Sequence, residues 1–186
     1  MRRSVLEEVG LFDESIRRGE DWELNLRIRQ AGHKVWLDPQ LSVTYWPRES
    51  WWRLARQFRA TGAWRGELVR RYGRSNGLRF FAPPALVLNL VLALVVAVLQ
   101  LTRVLTGIAS LVASVVYLPL VAYALLVVMM GLRPGGGRTP RERLWTLAVL
   151  PTMHVAWGLG FIGGVLRGAR DTVDASRLGT QNTPLP

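Results

Sequence analysis

The stretch "FFAPPALVLNLVLALVVAVLQLT", residues 80–102, contains no charged side chain and is bounded by Arg79 and Arg103. A run of about 20 apolar residues is long enough to cross the hydrocarbon core of a bilayer as a helix. Two further charge-free runs follow, at residues 104–132 and 144–166. Soluble core helices seldom run this long without a charge. The three runs therefore predict a membrane domain at residues 80–170, with spans at about 82–102, 106–132 and 144–166.

The basic residues of the chain flank these apolar runs. Lys and Arg number 24 against 13 Asp and Glu, which gives a net charge of +11, and nearly all of the cations are arginines. Five arginines occur in residues 65–79 and four in residues 133–143, whereas the turn between the first two runs has only Arg103. This placement is typical of the cytoplasmic loops of a membrane protein, and it argues against a nucleic-acid-binding surface. The sequence predicts a multi-pass plasma-membrane protein whose amino-terminal part is cytoplasmic.

Residues 48–79 are predicted to form an amphipathic helix and a linker ahead of the first span. Trp51, Leu54 and Phe58 fall on one face of the helix, and most of the arginines lie off that face. Tryptophans at headgroup level and arginines on phosphates are typical of a helix that lies in the membrane interface. The alternative is a helix that packs on a soluble domain. At the other end of the chain, the polar residues 171–186 are predicted to be a disordered tail.

Residues 1–47 read as two helices followed by two strands. Leu24 and Ile28 are spaced for one face of a helix that runs from about Glu20 to Ala31 and ends at Gly32. "HKVWLDP", residues 33–39, and "LSVTYW", residues 41–46, are short runs rich in apolar and aromatic residues, and each is predicted to be a strand. The fold expected for this part is α+β.

The acidic pair Glu20–Asp21 opens the second of these helices, in "RRGEDWELNLRIRQAG", residues 17–32. Acidic side chains at a helix start stabilise the helix dipole, by a few tenths to about 1 kcal/mol. A carboxylate at the same position beside a pocket could instead act as a general base for a hydroxyl. The residues alone leave both interpretations open.

A family resemblance bears on that choice. In order, the chain contains "RRSVLEEVG", "GLFDE", "EDWELNLRIRQAG", "VWLDP" and "VTYWPR", all within residues 2–48. This ordered set resembles the second half of the catalytic domain of family 2 glycosyltransferases, which have the GT-A type of fold. The last apolar run, with "PTMHVAWGLGFIGGVLRG", residues 151–168, further resembles the membrane-bound members of the succinoglycan-type exopolysaccharide group.

The resemblance implies roles for particular residues. Asp21 matches the aspartate that acts as the catalytic base of an inverting transfer, and Glu20 is its motif neighbour. Some members bind the acceptor glycan or the diphosphate on an interfacial helix, although the spacing of their signature differs from the one here. The residues of this chain that correspond to that function are Arg48, Gln57, Arg59 and Trp64.

The resemblance also implies what lies elsewhere. The nucleotide-sugar half of the family's fold, and the aspartate-x-aspartate motif that holds Mg²⁺ or Mn²⁺, have no match in this sequence. We expect a partial GT-A-like catalytic fragment followed by a helical membrane domain, inactive alone and binding no metal itself. The expected partners are membrane lipids, with a nucleotide-sugar donor and a glycan or lipid-linked acceptor in the full-length enzyme, and no nucleic acid. The alternative is a small non-enzymatic membrane protein that binds anionic lipid or a partner protein.

Overall fold

The computed structural model describes residues 2–44, 50–73, 77–133 and 139–169. Its helices are α1 (Arg3–Val9), α2 (Glu20–Gln30), α3 (Trp51–Tyr72), α4 (Ala82–Leu101), α5 (Gly107–Ala113), α6 (Leu118–Leu132) and α7 (Pro140–Arg167). Short 3-10 turns at Leu78–Phe81 and Ser114–Tyr117 precede α4 and α6. The chain divides into two compact units. The first contains Met1–Gly77 and Gly160–Pro186, and the second contains Leu78–Leu159.

The expected α+β, partial GT-A-like fold is wrong, because the described residues contain helices but no strand and no sheet. Residues 33–38 and 41–44, where both strands were predicted, are irregular, and residues 45–46 lie outside the described part. β-branched and aromatic residues favour a strand only where a neighbouring strand can pair with them. Here Trp36 and Val43 are 88 % and 89 % exposed, so little of the described part of the chain packs on their side chains.

The first unit is built on close contact between α3 and the end of α7. Ser50 caps α3 by accepting a hydrogen bond at its Oγ from the Arg53 backbone N–H. A Cβ atom added to Gly66 or Gly164 would overlap the backbone of the other helix. Around this contact lies a small apolar cluster, which comprises Ile16, Ala63, Trp64, Leu68 and Ala169, with Trp22 and Tyr72 packed against it.

The helices of the second unit are of a membrane type, and so is the whole of α7, of which the second unit contains the part up to Leu159. Three helical stretches of the described chain are long and apolar enough to cross a membrane: Leu78–Leu101, Gly107–Leu132 and Pro140–Arg167. They correspond to the three charge-free runs. Many of their large apolar side chains are exposed, for example Leu94 at 66 % and Leu111 at 73 %. Such surfaces suit a lipid environment, and this unit has the composition of a membrane domain.

Several polar side chains within this unit bond to one another. Gln100 Nε2 donates to the hydroxyls of Ser110 and Ser114, at 3.0 Å each, and Gln100 Oε1 accepts from the Tyr117 hydroxyl at 2.9 Å. Tyr123 and His154 also pair, with 2.8 Å between the hydroxyl and Nδ1. Interhelical hydrogen bonds of this kind join neighbouring spans.

Three predictions about the organisation of the chain are not tested by the structure. Whether α3 lies in the membrane interface, which side of the membrane the amino-terminal part faces, and the boundaries at residues 47 and 79 all stay predictions. The predicted disordered tail, residues 171–186, lies outside the described residues.

Candidate functional site

The acidic pair stands at the first turn of α2. Gly19 precedes the helix with a φ of 81°, a left-handed conformation that favours glycine. Asp21 is exposed, and its Oδ1 accepts a hydrogen bond from the Trp22 backbone N–H at 2.8 Å. Glu20 is half-buried, and its Oε2 is buried without a hydrogen-bond partner among the described residues. The two carboxylates of the pair therefore lie in different surroundings.

Asp21 lies at the edge of a pocket of about 290 Å³ between the start of α2 and the middle of α3. The α3 wall is formed by residues spaced about one helical turn apart, so their side chains share one face. The lining residues are Arg18, Gly19, Asp21 and Trp22 on one side, and Thr61, Trp64, Arg65 and Leu68 on the other.

Two guanidinium groups accompany the carboxylate in this pocket. Arg18 is 9 % exposed, and its Nη1 donates to Thr61 Oγ1 at 2.7 Å and to the Gln57 carbonyl oxygen at 3.3 Å. The Arg65 guanidinium lies 3.3 Å from the ring centroid of Trp22, a cation–π contact that holds both side chains in place. The pocket thus combines one exposed carboxylate, two cations and two indole rings.

A buried carboxylate, Glu23, holds α2 against its neighbours through hydrogen bonds. Its side chain is fully buried, and the Arg27 guanidinium bonds to both of its oxygens, at 2.7 and 2.9 Å. Arg27 also donates to the backbone carbonyl oxygens of Val9 and Leu11, at the end of α1. Tyr72, at the end of α3, donates to Glu23 Oε1 at 3.0 Å. Glu23 therefore joins three helices.

A second buried carboxylate, Glu67, fastens the loop before α2. Arg70 and Arg71 bond to it at 2.8 and 2.7 Å, and Arg71 also contacts Asp13 and the Ser15 hydroxyl. Burial alone would raise the pKa of Glu67, but the hydrogen bonds and charges of the two arginines outweigh it and lower the pKa. Hydrogen bonds from Ser15, with the nearby Arg71, lower the pKa of Asp13. The "GLFDE" loop is thus held through Asp13.

The structure places the predicted site residues as follows. Asp21 and Trp64 line the same pocket, while Glu20 does not line it. Gln57 contributes its backbone carbonyl to Arg18, and Arg59 is exposed and lies outside the pocket lining. Arg48 lies outside the described residues. The role assigned to each of these residues stays a prediction.

Sequence reasoning missed Arg18, Trp22 and Thr61. Arg18 and Thr61 are 43 residues apart in the chain, and no local pattern links them. A weak signal existed on α3, where Thr61, Trp64 and Leu68 have the spacing of one helix face. That signal indicates a shared face but not what the face contacts.

A second pocket, of about 600 Å³, lies away from the acidic pair. Its walls come from α1, α2 and the irregular segment after α2. His33 is bonded to Glu8 there, at 2.8 Å. No predicted site residue lines this pocket, whose lining is Arg2, Val5, Asn25, Ile28, His33, Lys34, Val35 and Trp36.

The expectation concerning Mg²⁺ or Mn²⁺ stays a prediction. Within residues 2–44, 50–73, 77–133 and 139–169, His, Asp and Glu side chains do not gather in groups of three or more that could hold a metal ion.

Comparison with known proteins shows that the chain is similar to a protein of polysaccharide biosynthesis. The chain is 28 % identical over 162 residues to "Succinoglycan biosynthesis protein ExoA" of Rhizobium meliloti (strain 1021). The match covers 87 % of this chain but only 44 % of the relative, in its carboxy-terminal part. No protein-family model and no solved structure matches the chain. The chain thus spans less than half the length of this relative, and its resemblance to succinoglycan-type biosynthesis proteins is confirmed.

Proposed function

We propose that this chain forms the acceptor side and the membrane anchor of an inverting family 2 glycosyltransferase. The enzyme would transfer a sugar from a nucleotide-sugar to a membrane-associated acceptor in exopolysaccharide or cell-envelope glycan synthesis. The observation that carries the proposal is the pocket in which Asp21 lies with Trp64 and Arg65. The similarity to a succinoglycan biosynthesis protein supports the same class of reaction.

Asp21 is the proposed general base. An acceptor hydroxyl forms a new C–O bond to the anomeric carbon of the donor sugar, and its proton passes to the Asp21 carboxylate. The bond from that carbon to the nucleoside diphosphate breaks at the same time, and the diphosphate leaves with the electron pair. Attack from the face opposite the leaving group inverts the anomeric centre. The hydrogen bond from the Trp22 N–H orients the carboxylate, and its exposure lets a hydroxyl reach it.

The other pocket residues have binding roles in this proposal. The apolar face of a sugar ring packs on indole rings, and Trp22 and Trp64 provide two of them. Guanidinium groups bind phosphate and polarise hydroxyl-bearing ligands through charge-assisted hydrogen bonds, and Arg18 and Arg65 provide two such groups. Glu23 and Glu67 are buried and do not line the pocket, so in this proposal they hold the surrounding helices in place and do not contact the substrate.

The membrane domain would keep the site beside a membrane-bound acceptor. The three apolar helices provide the anchor. The plasma membrane is the proposed location, with the pocket on its cytoplasmic side, because the pocket lies in the same part of the chain as an arginine-rich segment and an excess of arginine is typical of cytoplasmic segments.

The test is the rate of sugar transfer in membranes that contain the chain together with any coding sequence that precedes Met1 in its gene. Asp21→Asn preserves the shape of the side chain and removes the base, so transfer at saturating donor should fall about 10²–10⁴-fold. Glu20→Gln should cost less, since Glu20 does not line the pocket. Membrane insertion is checked for each variant.

Asp38→Asn is the matched control. Asp38 is also exposed and also accepts a backbone N–H at its Oδ1, from Gln40 at 2.9 Å, but it lies outside the pocket. Its substitution should leave transfer unchanged. If Asp21→Asn transfers sugar at a near-normal rate and Glu20→Gln does not, Glu20 rather than Asp21 is the general base. If both variants transfer sugar at the normal rate, neither carboxylate is catalytic and the pair only stabilises the start of α2.

A further inference from the structure

Among the contacts that connect the α2 region to α3 are two side-chain ties, which reach α3 at different points along its length. Arg18, which precedes α2, bonds to Thr61, and Glu23, within α2, bonds to Tyr72. The α3 residues that line the pocket beyond Thr61 lie between these two points in the chain. The separation between Asp21 and the α3 wall therefore depends on both ties, as well as on the contact between Arg65 and Trp22.

The Glu23–Tyr72 tie is fixed on its Glu23 side. Glu23 is fully buried, and the bidentate Arg27 holds its carboxylate in one orientation. Arg27 is itself held by carbonyl oxygens at the end of α1. Burial and the hydrogen bond to Glu23 raise the pKa of Tyr72, so its hydroxyl stays protonated at neutral pH and donates to the carboxylate.

We propose that Glu23 and Tyr72 form a positioning pair that sets where Trp64 and Arg65 lie relative to Asp21. Neither residue lines the pocket, so both act through the placement of α3. Displacing a positioned group by about 1 Å can cost about 10²-fold in rate. The catalytic part of this inference rests on the proposed function, whereas the structural part concerns the pocket alone.

The experiment removes a single hydroxyl. Tyr72→Phe keeps the ring that packs on the apolar cluster and deletes the bond to Glu23. The matched control is Tyr123→Phe, which deletes a hydroxyl paired with His154 at 2.8 Å within the membrane unit. Each variant is made in the same protein used for the transfer assay, in membranes or lipid nanodiscs.

Two readouts are measured. The first is transfer, where Tyr72→Phe should lower kcat about 10- to 100-fold with little change in the KM for donor, and Tyr123→Phe should change neither. The second is the fluorine resonance of 5-fluorotryptophan at Trp22, assigned through Trp22→Phe. Because Arg65 lies over the Trp22 ring, a displacement of α3 should shift that resonance in Tyr72→Phe and leave it unmoved in Tyr123→Phe.

A double variant tests whether the two residues act as a pair. Glu23→Gln retains an oxygen acceptor but loses the charge that holds Arg27. If the residues act together, Tyr72→Phe should cost little more in the Glu23→Gln background than Glu23→Gln costs alone. Full additivity of the two effects on kcat would contradict a pair.

The outcomes separate this inference from the proposed function. Absence of transfer in the unaltered protein would defeat the function, and the fluorine shift would still decide the positioning role. A Tyr72→Phe protein with a lowered melting temperature but an unmoved resonance and a normal kcat would show a purely structural hydroxyl and overturn the inference.

Discussion

Gly164 lies directly against the backbone of Ala63, where a Cβ atom on the glycine would lie 2.7 Å from the Ala63 carbonyl carbon. One helical turn earlier, a Cβ on Gly160 would lie 2.8 Å from the Arg59 carbonyl carbon. Glycines four residues apart allow two helices to approach backbone to backbone. The α3 wall of the pocket is therefore held by the carboxy-terminal turns of the last apolar helix.

Gly164→Ala should destabilise the first unit by about 1–3 kcal/mol, because the added methyl group forces α3 and α7 apart. The matched control is Gly163→Ala, its neighbour, whose added Cβ would meet nothing within 4 Å. That variant should be neutral or slightly stabilising, since alanine favours a helix by about 1 kcal/mol over glycine. Thermal unfolding of both proteins in the same lipid or detergent checks the difference. Equal melting temperatures would mean that the helices do not pack this closely.

The apolar helices could be predicted from sequence because the signal is local. The absence of charge over residues 80–102 is sufficient for the prediction of a span, whatever the rest of the chain does. A strand is different, because its backbone must pair with another strand. The apolar run at Val35–Leu37 has the composition of a strand, but no partner lies beside it within the described residues.

The candidate site could be predicted only in part, because some of its residues meet only through contacts between distant parts of the chain. Asp21 is marked by its position at a helix start, which is a local feature. Trp64 was singled out through a family resemblance. Arg18 enters the pocket through tertiary packing on α3, and its neighbours in sequence do not indicate this contact.

The ion-pair network around Glu67 makes the first unit sensitive to acid. The pKa values of Glu67 and Asp13 are both lowered, so both carboxylates contribute stability above their unfolded pKa values near 4. That contribution is lost as the pH falls through the lowered folded values. We expect the melting temperature to decline as the pH is lowered below about 4.5.

Glu67→Gln should cost about 3 kcal/mol at pH 7, because Arg71 then stays partly buried beside a neutral group. The difference from the unaltered protein should shrink in acid, where Glu67 is itself protonated. Glu7→Gln is the control, since the Arg3–Glu7 pair is exposed and should contribute little at any pH. A Glu67→Gln effect that is equal at pH 7 and in strong acid would exclude the ionised network as its cause.

The arginine distribution predicts the topology of the membrane domain. The two arginine-rich segments, residues 65–79 and 133–143, extend into the starts of the first and third apolar helices, and only Arg103 lies in the turn between the first two. Cytoplasmic loops carry an excess of Lys and Arg. Fusions of a fluorescent protein and of alkaline phosphatase at Arg79 and Gly136 should therefore both report a cytoplasmic location. A fusion at Thr183, beyond the third helix, should report the outside. Phosphatase activity at Gly136 would contradict three spans in this orientation, and it would place residues 133–143 on the side where a cytoplasmic donor is absent.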